Sequence, residues 1–152
     1  MAKVTMTDLL NALDTKIDTI SAIKEIRILT RPLPQPKLLP AVFLVPESTE
    51  KLKDGDYVFS HIYSVSIIPI IFYATTQEES LTHESKGLIQ LIDSIEDLLE
   101  NDFLHGKLVG VECYPAAYEL PGEFFIADNI YTRGGIIDYR GRTHPYRKER
   151  TA

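Results

Sequence analysis

The chain has little of what marks a secreted, membrane or catalytic protein. Its 152 residues include one cysteine, Cys113, and no tryptophan. A lone cysteine excludes an internal disulfide. Nothing near the N-terminus joins a basic start to an uninterrupted apolar run as a secretory signal does, so synthesis in a reducing cytoplasm is expected. The most apolar stretch, Ile67 to Tyr73, is interrupted by Pro69 and falls far short of the roughly 20 residues that cross a bilayer as a helix. No membrane span is expected. The histidines His61, His83, His105 and His144 share no HxH or HExxH spacing, and each reads as a surface or hydrogen-bonded residue rather than a ligand. No GxxxxGK[ST] or GxGxxG pattern opens a helix, which leaves Gly134-Gly135 as a turn rather than a phosphate loop. Glu112 stands beside Cys113, but adjacent strand residues point to opposite faces, so the thiol reads as a small core side chain. Acidic pairs such as Glu78-Glu79 and Glu96-Asp97 show no sign of converging. No cofactor, metal or catalytic set is expected, and the chain reads as a non-enzyme.

What is present is an ordinary globular composition, 44% hydrophobic and 25% charged, at the usual length of one domain. The formal net charge of −6 argues against a general nucleic-acid binder. The charge is unevenly placed. Residues 140–152 hold Arg140, Arg142, Arg147, Lys148 and Arg150 against Glu149, a local balance of +4, which leaves −10 for residues 1–139. The expected organisation is therefore one domain over 1–139 and a basic C-terminal tail over 140–152, docked on an acidic surface of a neighbour or of the chain itself. A solvated, disordered end is the alternative.

Hydrophobic spacing sets the expected elements. Leu10, Leu13, Ile17 and Ile20 recur at three and four residues, predicting a helix that begins near Thr7 as cap with Asp8 favourably placed against its dipole. Ile26 and Ile28 alternate with Glu25 and Arg27, predicting a strand over Lys24 to Arg31. Prolines at 32, 34, 36 and 40 make the next stretch a stiff, extended connecting arm. Ala41 to Val45 reads as a short buried strand closed by Pro46, and Glu47 to Asp56, ending in Asp54-Gly55, as a hairpin loop.

Tyr57 to Tyr73 is the most informative segment. Tyr57, Phe59, His61, Tyr63, Val65 and Ile67 alternate with Val58, Ser60, Ile62, Ser64 and Ser66, a strand pattern. At ~3.3 Å per residue such a strand extends ~55 Å, more than the ~38 Å diameter of a globule of this size. Pro69 is expected to break it or force a bulge. Beyond Ser66 both faces turn apolar, with Ile67 and Ile71 on one side and Ile68, Ile70 and Phe72 on the other, so another layer or another subunit is expected to cover it.

Thr76 with Glu79 fits a capping box, with Ser80 or Thr82 as alternative caps, for a second helix ending near Asn101. Its apolar face is Leu88, Leu91, Ile92, Ile95, Leu98 and Leu99. Strands are expected over Lys107 to Tyr114 and Phe124 to Tyr131, with a turn through Pro115 and Pro121-Gly122 and a Gly134-Gly135 hairpin turn into Ile136 to Arg140. The run Tyr114, Tyr118, Phe124, Phe125 and Tyr131 with Arg133 could stack bases, but the acidic balance favours a core and interface role. The expected fold is α+β, a mainly antiparallel sheet with a long β-hairpin, flanked by two main helices.

This order of elements resembles the tail terminator, or tail completion, proteins of long-tailed bacteriophages. The matching features are the amphipathic start Thr7 to Ile20, the strand Tyr57 to Tyr73, the helix Glu84 to Asn101 with its "LIQLIDSIEDLL" face, and the strands "KLVGVECYP" and "FFIADNIYT". The proline arm and the end "RGRTHPYRKER" depart from the family's pattern. The resemblance implies a structural virion protein of the tail or neck, assembled in the host cytoplasm. It implies a six-subunit ring that contacts the tail tube protein below and the head–tail connector above, with DNA only as passing cargo. A neck or head-closure protein is the alternative within that class; a small nucleic-acid-binding module or hydrolase is the alternative outside it. Head-to-tail rings need two complementary patches per subunit. The candidate subunit or tube interface is accordingly Tyr57, Phe59, Tyr63, Ile67 and Ile71 on the apolar ribbon, with Arg140, Arg142, Arg147, Lys148 and Arg150 on the basic end.

Overall fold

A computed structural model describes residues 2–72, 87–118, 126–127 and 130–148. Helix α1 (Met6–Ile17) begins two residues earlier than expected. Its cap is Thr5, not Thr7: the Thr5 hydroxyl accepts from the Asp8 amide at 3.1 Å, and the Asp8 carboxylate accepts from the Thr5 amide at 2.9 Å. A capping box needs its acid three residues after the cap, and Asp8 stands in that relation to Thr5. Leu9, Leu10, Leu13 and Ile17 form the buried stripe. Helix α2 (Leu88–Leu99) starts from Gly87 and buries Leu88, Leu91, Ile92, Ile95 and Leu99. The capping residues expected between Thr76 and Thr82 lie outside the described residues.

The strands are β1 (Glu25–Ile28), β2 (Ala41–Gly55), β3 (Val58–Phe72), β4 (Leu108–Ala117), β5 (Ile126–Ala127), β6 (Ile130–Gly134), β7 (Ile136–Thr143) and β8 (Tyr146–Arg147). With the two helices they make an α+β fold whose sheet is mixed but mostly antiparallel. Only β1 and β2 run parallel among the described pairings. Among the described residues no helix is long and apolar enough to cross a membrane.

β2 does not end at Pro46. It continues through the stretch expected as a loop, with a bulge between Pro46 and Ser48, and pairs with β3 from Ala41↔Ile70 to Gly55↔Val58. Only Asp56 and Tyr57 intervene, and Tyr57 takes up the reversal at φ 61°. The bulge reconciles proline with a strand by bending the ladder where a donor is missing.

The other edge of β3 is covered by one stretch of chain. β8 pairs at Val58 and Phe59, β7 from Ile62 to Ile67, and β6 from Ile70 to Phe72. β6 and β7 lie end to end in one register, so Gly134-Gly135 is not a hairpin turn but a joint in a nearly continuous strand. Glycine is required there by space: a Cβ on Gly135 would stand 2.6 Å from the Ala117 carbonyl oxygen and 2.8 Å from Ile92 Cδ1. The same joint explains why Pro69 neither breaks nor bulges β3. The Pro69 carbonyl accepts from the Gly135 amide at 3.1 Å, so the nitrogen of Pro69 points to this edge too, opposite the gap between β6 and β7. No ladder bond to β2 is lost.

Because β7 and β8 pair with β3, residues 140–147 are sheet, and the division into a domain and a basic tail at 139/140 is corrected. Arginines at 140 and 142 alternate with the buried Tyr139, Gly141 and Thr143, a half-buried strand pattern that the charge count concealed.

Both faces of the inner sheet are covered within one chain. On one side α1 and α2 pack Leu13, Ile17, Ile92 and Ile95 against Val42, Leu44, Val65, Ile67 and Ile71. On the other, Leu33 and Leu39 of the proline arm close over Phe43, Val45, Ile68 and Ile70. Of the two covers expected for this segment, another layer or another subunit, the arm supplies the layer. It is tied down where the Lys37 and Leu38 amides donate to Glu25 at 2.8 and 3.2 Å and where Arg31 pairs with Glu47.

Two predictions follow from this packing. Gly135→Ala should lose about 1–3 kcal/mol by overpacking, whereas Gly110→Ala, whose Cβ would meet only Arg142 Cβ at 3.7 Å, should stay within about 0.5 kcal/mol; urea denaturation measures both. Leu39→Ala should cost about 2–5 kcal/mol if the arm is core, and a value near zero in the same assay would show that it is not.

Candidate functional site

Beyond the span paired by β1, the sheet continues as a ribbon tip built from residues 47–55 of β2, 58–64 of β3, and the ends of β7 and β8. The two faces of this tip differ in chemistry. On the helix side, period two places Phe59, His61 and Tyr63 in a row, and Tyr146 of β8 joins them. The His61 ring stacks on Tyr63 at 5.4 Å and on Tyr146 at 5.5 Å, with interplanar angles of 3° and 5°. The Tyr63 hydroxyl donates to the Val4 carbonyl at 2.7 Å, and the His61 amide donates to Thr143 Oγ1 at 3.0 Å. Lys3 lies over the Tyr146 ring and Lys51 over the Phe59 ring, at 5.9 and 4.3 Å from the centroids.

The opposite face carries paired charges. Arg140 reaches Glu50 of β2 at 3.9 Å and Glu112 of β4 at 3.8 Å, and Arg142 reaches Asp54 at 3.5 Å. Such exposed pairs stabilise little individually, but they neutralise the face.

The proposed interface residues separate accordingly. Tyr63, Ile67 and Ile71 are core, between 0 and 3% exposed, and are withdrawn as interface residues because the helices already cover their face. Phe59 is half-buried, while Tyr57 is exposed at the reversal. Arg140 and Arg142 are engaged by the chain's own carboxylates. Arg147 and Lys148 are exposed, and the Lys148 amide donates to the Tyr57 carbonyl at 2.7 Å. Arg150 lies outside the described residues, as do His83, Glu78-Glu79, Phe124 and Phe125.

Burial pushes the Cys113 thiol up to about 12, with Glu96 and Glu100 acting in the same direction. It stays protonated among α2 and the sheet, as its core reading requires. A surface groove of about 440 Å³ runs between α1 and residues 102–107, lined by Asp8, Asn11, Lys16, Asp102, His105 and Lys107 among others. The Lys16–Asp102 ion pair at 2.8 Å crosses it. The Lys16 hydrogen bond and the Leu104 amide hold the Asp102 carboxyl below its ordinary range. Sequence reading missed this groove, whose wall from residue 101 to 106 takes left-handed backbone at Asn101, Leu104, His105 and Gly106, because which elements close around a loop is set by tertiary packing. It also missed the open run of β2, whose residues 49–54 are polar on both faces apart from Leu52.

No protein-family model and no curated protein matches the chain.

Burial lowers the His61 imidazole from its ordinary 6.5, and the Lys3 and Lys51 charges act in the same direction. A histidine depressed on folding takes its proton more readily when unfolded. Its contribution is therefore complete above about pH 6.5 and is lost as the pH falls toward the folded value. The urea midpoint of the wild-type chain should accordingly fall between about pH 7 and 5.5. His61→Phe, which keeps a ring in the stack, should flatten that slope; an unchanged slope would remove His61 as its cause.

Proposed function

We propose that this chain is a structural virion protein that forms a ring at the end of a phage tail tube, ends tube growth and presents the surface for head joining. The observation that carries the reading is the ribbon tip: a β-hairpin arm, polar on its surface and, among the described residues, open along the outer edge of β2, attached to a body whose inner sheet is covered on both faces. A protein built to act alone has no use for an open strand edge outside its core, whereas one built to join others does. The α+β architecture, with two helices on one face of a mostly antiparallel sheet, fits the element order of the tail terminators that the chain resembles. The buried Tyr63, Ile67 and Ile71 take no part in this assembly. Its contacts fall to exposed residues at the tip, with Tyr57, Arg147 and Lys148 at its end.

Negative-stain imaging and mass photometry of the protein, alone and with tail tube protein, test this directly. Rings seated on tube ends and tubes of uniform length support it; a monomer that never joins tubes overturns it. Because residues 140–147 belong to the sheet, their deletion would damage the fold. Reversal of the exposed pair, Arg147→Glu with Lys148→Glu, is the cleaner probe. It should leave the thermal midpoint nearly unchanged and lower the fraction of capped tubes about tenfold if those charges meet an acidic neighbour.

A further inference from the structure

Among the described residues the outer edges of β1 and β4 carry no paired strand, and neither does the outer edge of β2 beyond Leu44, which lies on the ribbon tip. Its geometry follows from β3. Successive strand residues point their amide and carbonyl groups to opposite edges. The His61 amide and the Pro69 carbonyl both point toward β7 and its neighbours, so the even-numbered residues of β3 face β2. Their partners Ser48, Glu50 and Leu52 face back, opposite Ser64, Ile62 and Ser60. The amide and carbonyl groups of Thr49, Lys51 and Lys53 therefore point outward, on an exposed stretch.

The side chains beside this open ladder are not neutral. Thr49, Lys51 and Lys53 share the helix-side face, where Lys51 lies over Phe59 and Lys3 over Tyr146. These lysines stand on a chain of net charge −6. Among the described residues the carboxylate nearest in ion-pair contact with Lys53 is Asp56 at 4.0 Å, and it is 96% exposed. The arginines of the opposite face are already matched with carboxylates.

We infer that the outer edge of β2 from Thr49 to Lys53 is a docking site for an extended strand of a partner protein carrying acidic side chains at alternate positions. This names the chemistry of the partner for the assembly role proposed above, and it rests on that reading. Lysines two residues apart on a strand are ~6.8 Å apart, the spacing of alternate side chains on any added strand. Carboxylates at that period would meet Lys51 and Lys53 together while the backbones complete the ladder. A second copy of this edge is a poor occupant, since antiparallel self-pairing centred on the open run sets Lys51 opposite Lys51. A nucleic acid is a poor occupant too. It has no amides for the ladder, and the rings of His61, Tyr63 and Tyr146 are stacked on one another and buried.

The test uses the full chain and a capped peptide of about ten residues alternating threonine and glutamate, long enough for one strand. Comparison probes are the alternating threonine–lysine peptide and an oligothymidylate, with binding followed by amide NMR shifts at low and moderate salt. The acidic peptide should bind alone of the three, more weakly as salt rises, with shifts centred on residues 49–53. Thr49→Pro removes only an outward-facing amide, so it should keep the fold and weaken binding at least about tenfold. Lys51→Glu with Lys53→Glu should reverse the preference toward the lysine peptide. Unchanged affinity in folded Thr49→Pro, shifts elsewhere, tighter oligothymidylate binding, or no acidic-peptide binding would each overturn the docking site. Rings on tube ends without peptide binding would reject the docking site and leave the ring; peptide binding without rings would do the reverse.

Discussion

β3 has two apolar faces and two hydrogen-bonding edges, and the fold consists of the elements that satisfy all four. A strand carrying Ile67 and Ile71 on one side and Ile68 and Ile70 on the other cannot lie at a surface, and its backbone cannot be left unpaired inside. β2 takes one edge; β6, β7 and β8 in succession take the other. The helices take one face and Leu33 and Leu39 of the proline arm take the other. Pro69 sits inside this arrangement without cost to the β2 ladder because its missing donor falls opposite Gly135. That glycine is in turn fixed by the closeness of Ala117 and Ile92. One backbone joint therefore links α2, the β4 end and the central strand.

Much of this was legible in the residues, and the failures have identifiable causes. The stripe Leu10, Leu13, Ile17 and the face Leu88 to Leu99 gave both helices, because side-chain burial at a 3.6-residue period is a local signal. The cap was placed two residues late because two threonines compete for the role and only the position of Asp8 decides between them. Glu47 to Asp56 has the composition of a loop because its polarity dominates its alternation. With Leu52 as its one apolar residue this stretch has no repeat to mark its period, and only its pairing with β3 makes it visible. The two-sided segment was read correctly as needing cover, but the cover came from the prolines read as a connector. The four prolines favour an extended path; Leu33 and Leu39 between them carry the packing, and their isolated positions show no period. As for the candidate site, Tyr57, Arg147 and Lys148 are at the surface as an interface requires, whereas Tyr63, Ile67 and Ile71 are in the core. Alternation identifies which residues share a face but not whether a helix already lies on it.

The apparent charge asymmetry changes meaning once the sheet is in place. As a linear property, the basic stretch after residue 139 looks like an appendage seeking an acidic surface. In the fold, Arg140 sits between Glu50 and Glu112, and Arg142 beside Asp54, so strand pairing brings the two charge classes together within one molecule. Ion pairs of this exposure contribute little to stability. Their effect is to remove one face of the tip from electrostatic competition. The positive charge that remains at the tip belongs to Arg147 and Lys148 at its end and to Lys3, Lys51 and Lys53, with aromatic rings beneath Lys3 and Lys51.

An open strand edge is a liability in any soluble protein, and natural sheets limit it with lysine, proline and bulges. The outer edge of β2 has all three: Pro46 where β1 ends, bulges at Pro46/Ser48 and Lys53/Gly55, and Lys51 and Lys53 between them. The same devices that prevent indiscriminate pairing also restrict what can pair. Like charges repel at cross-strand positions and opposite charges attract, so lysines that discourage a second identical edge lower the cost for a strand bearing carboxylates in register. Protection against aggregation and choice of partner are then one property of one strand, and the distinction between them lies only in the side chains that the incoming strand presents.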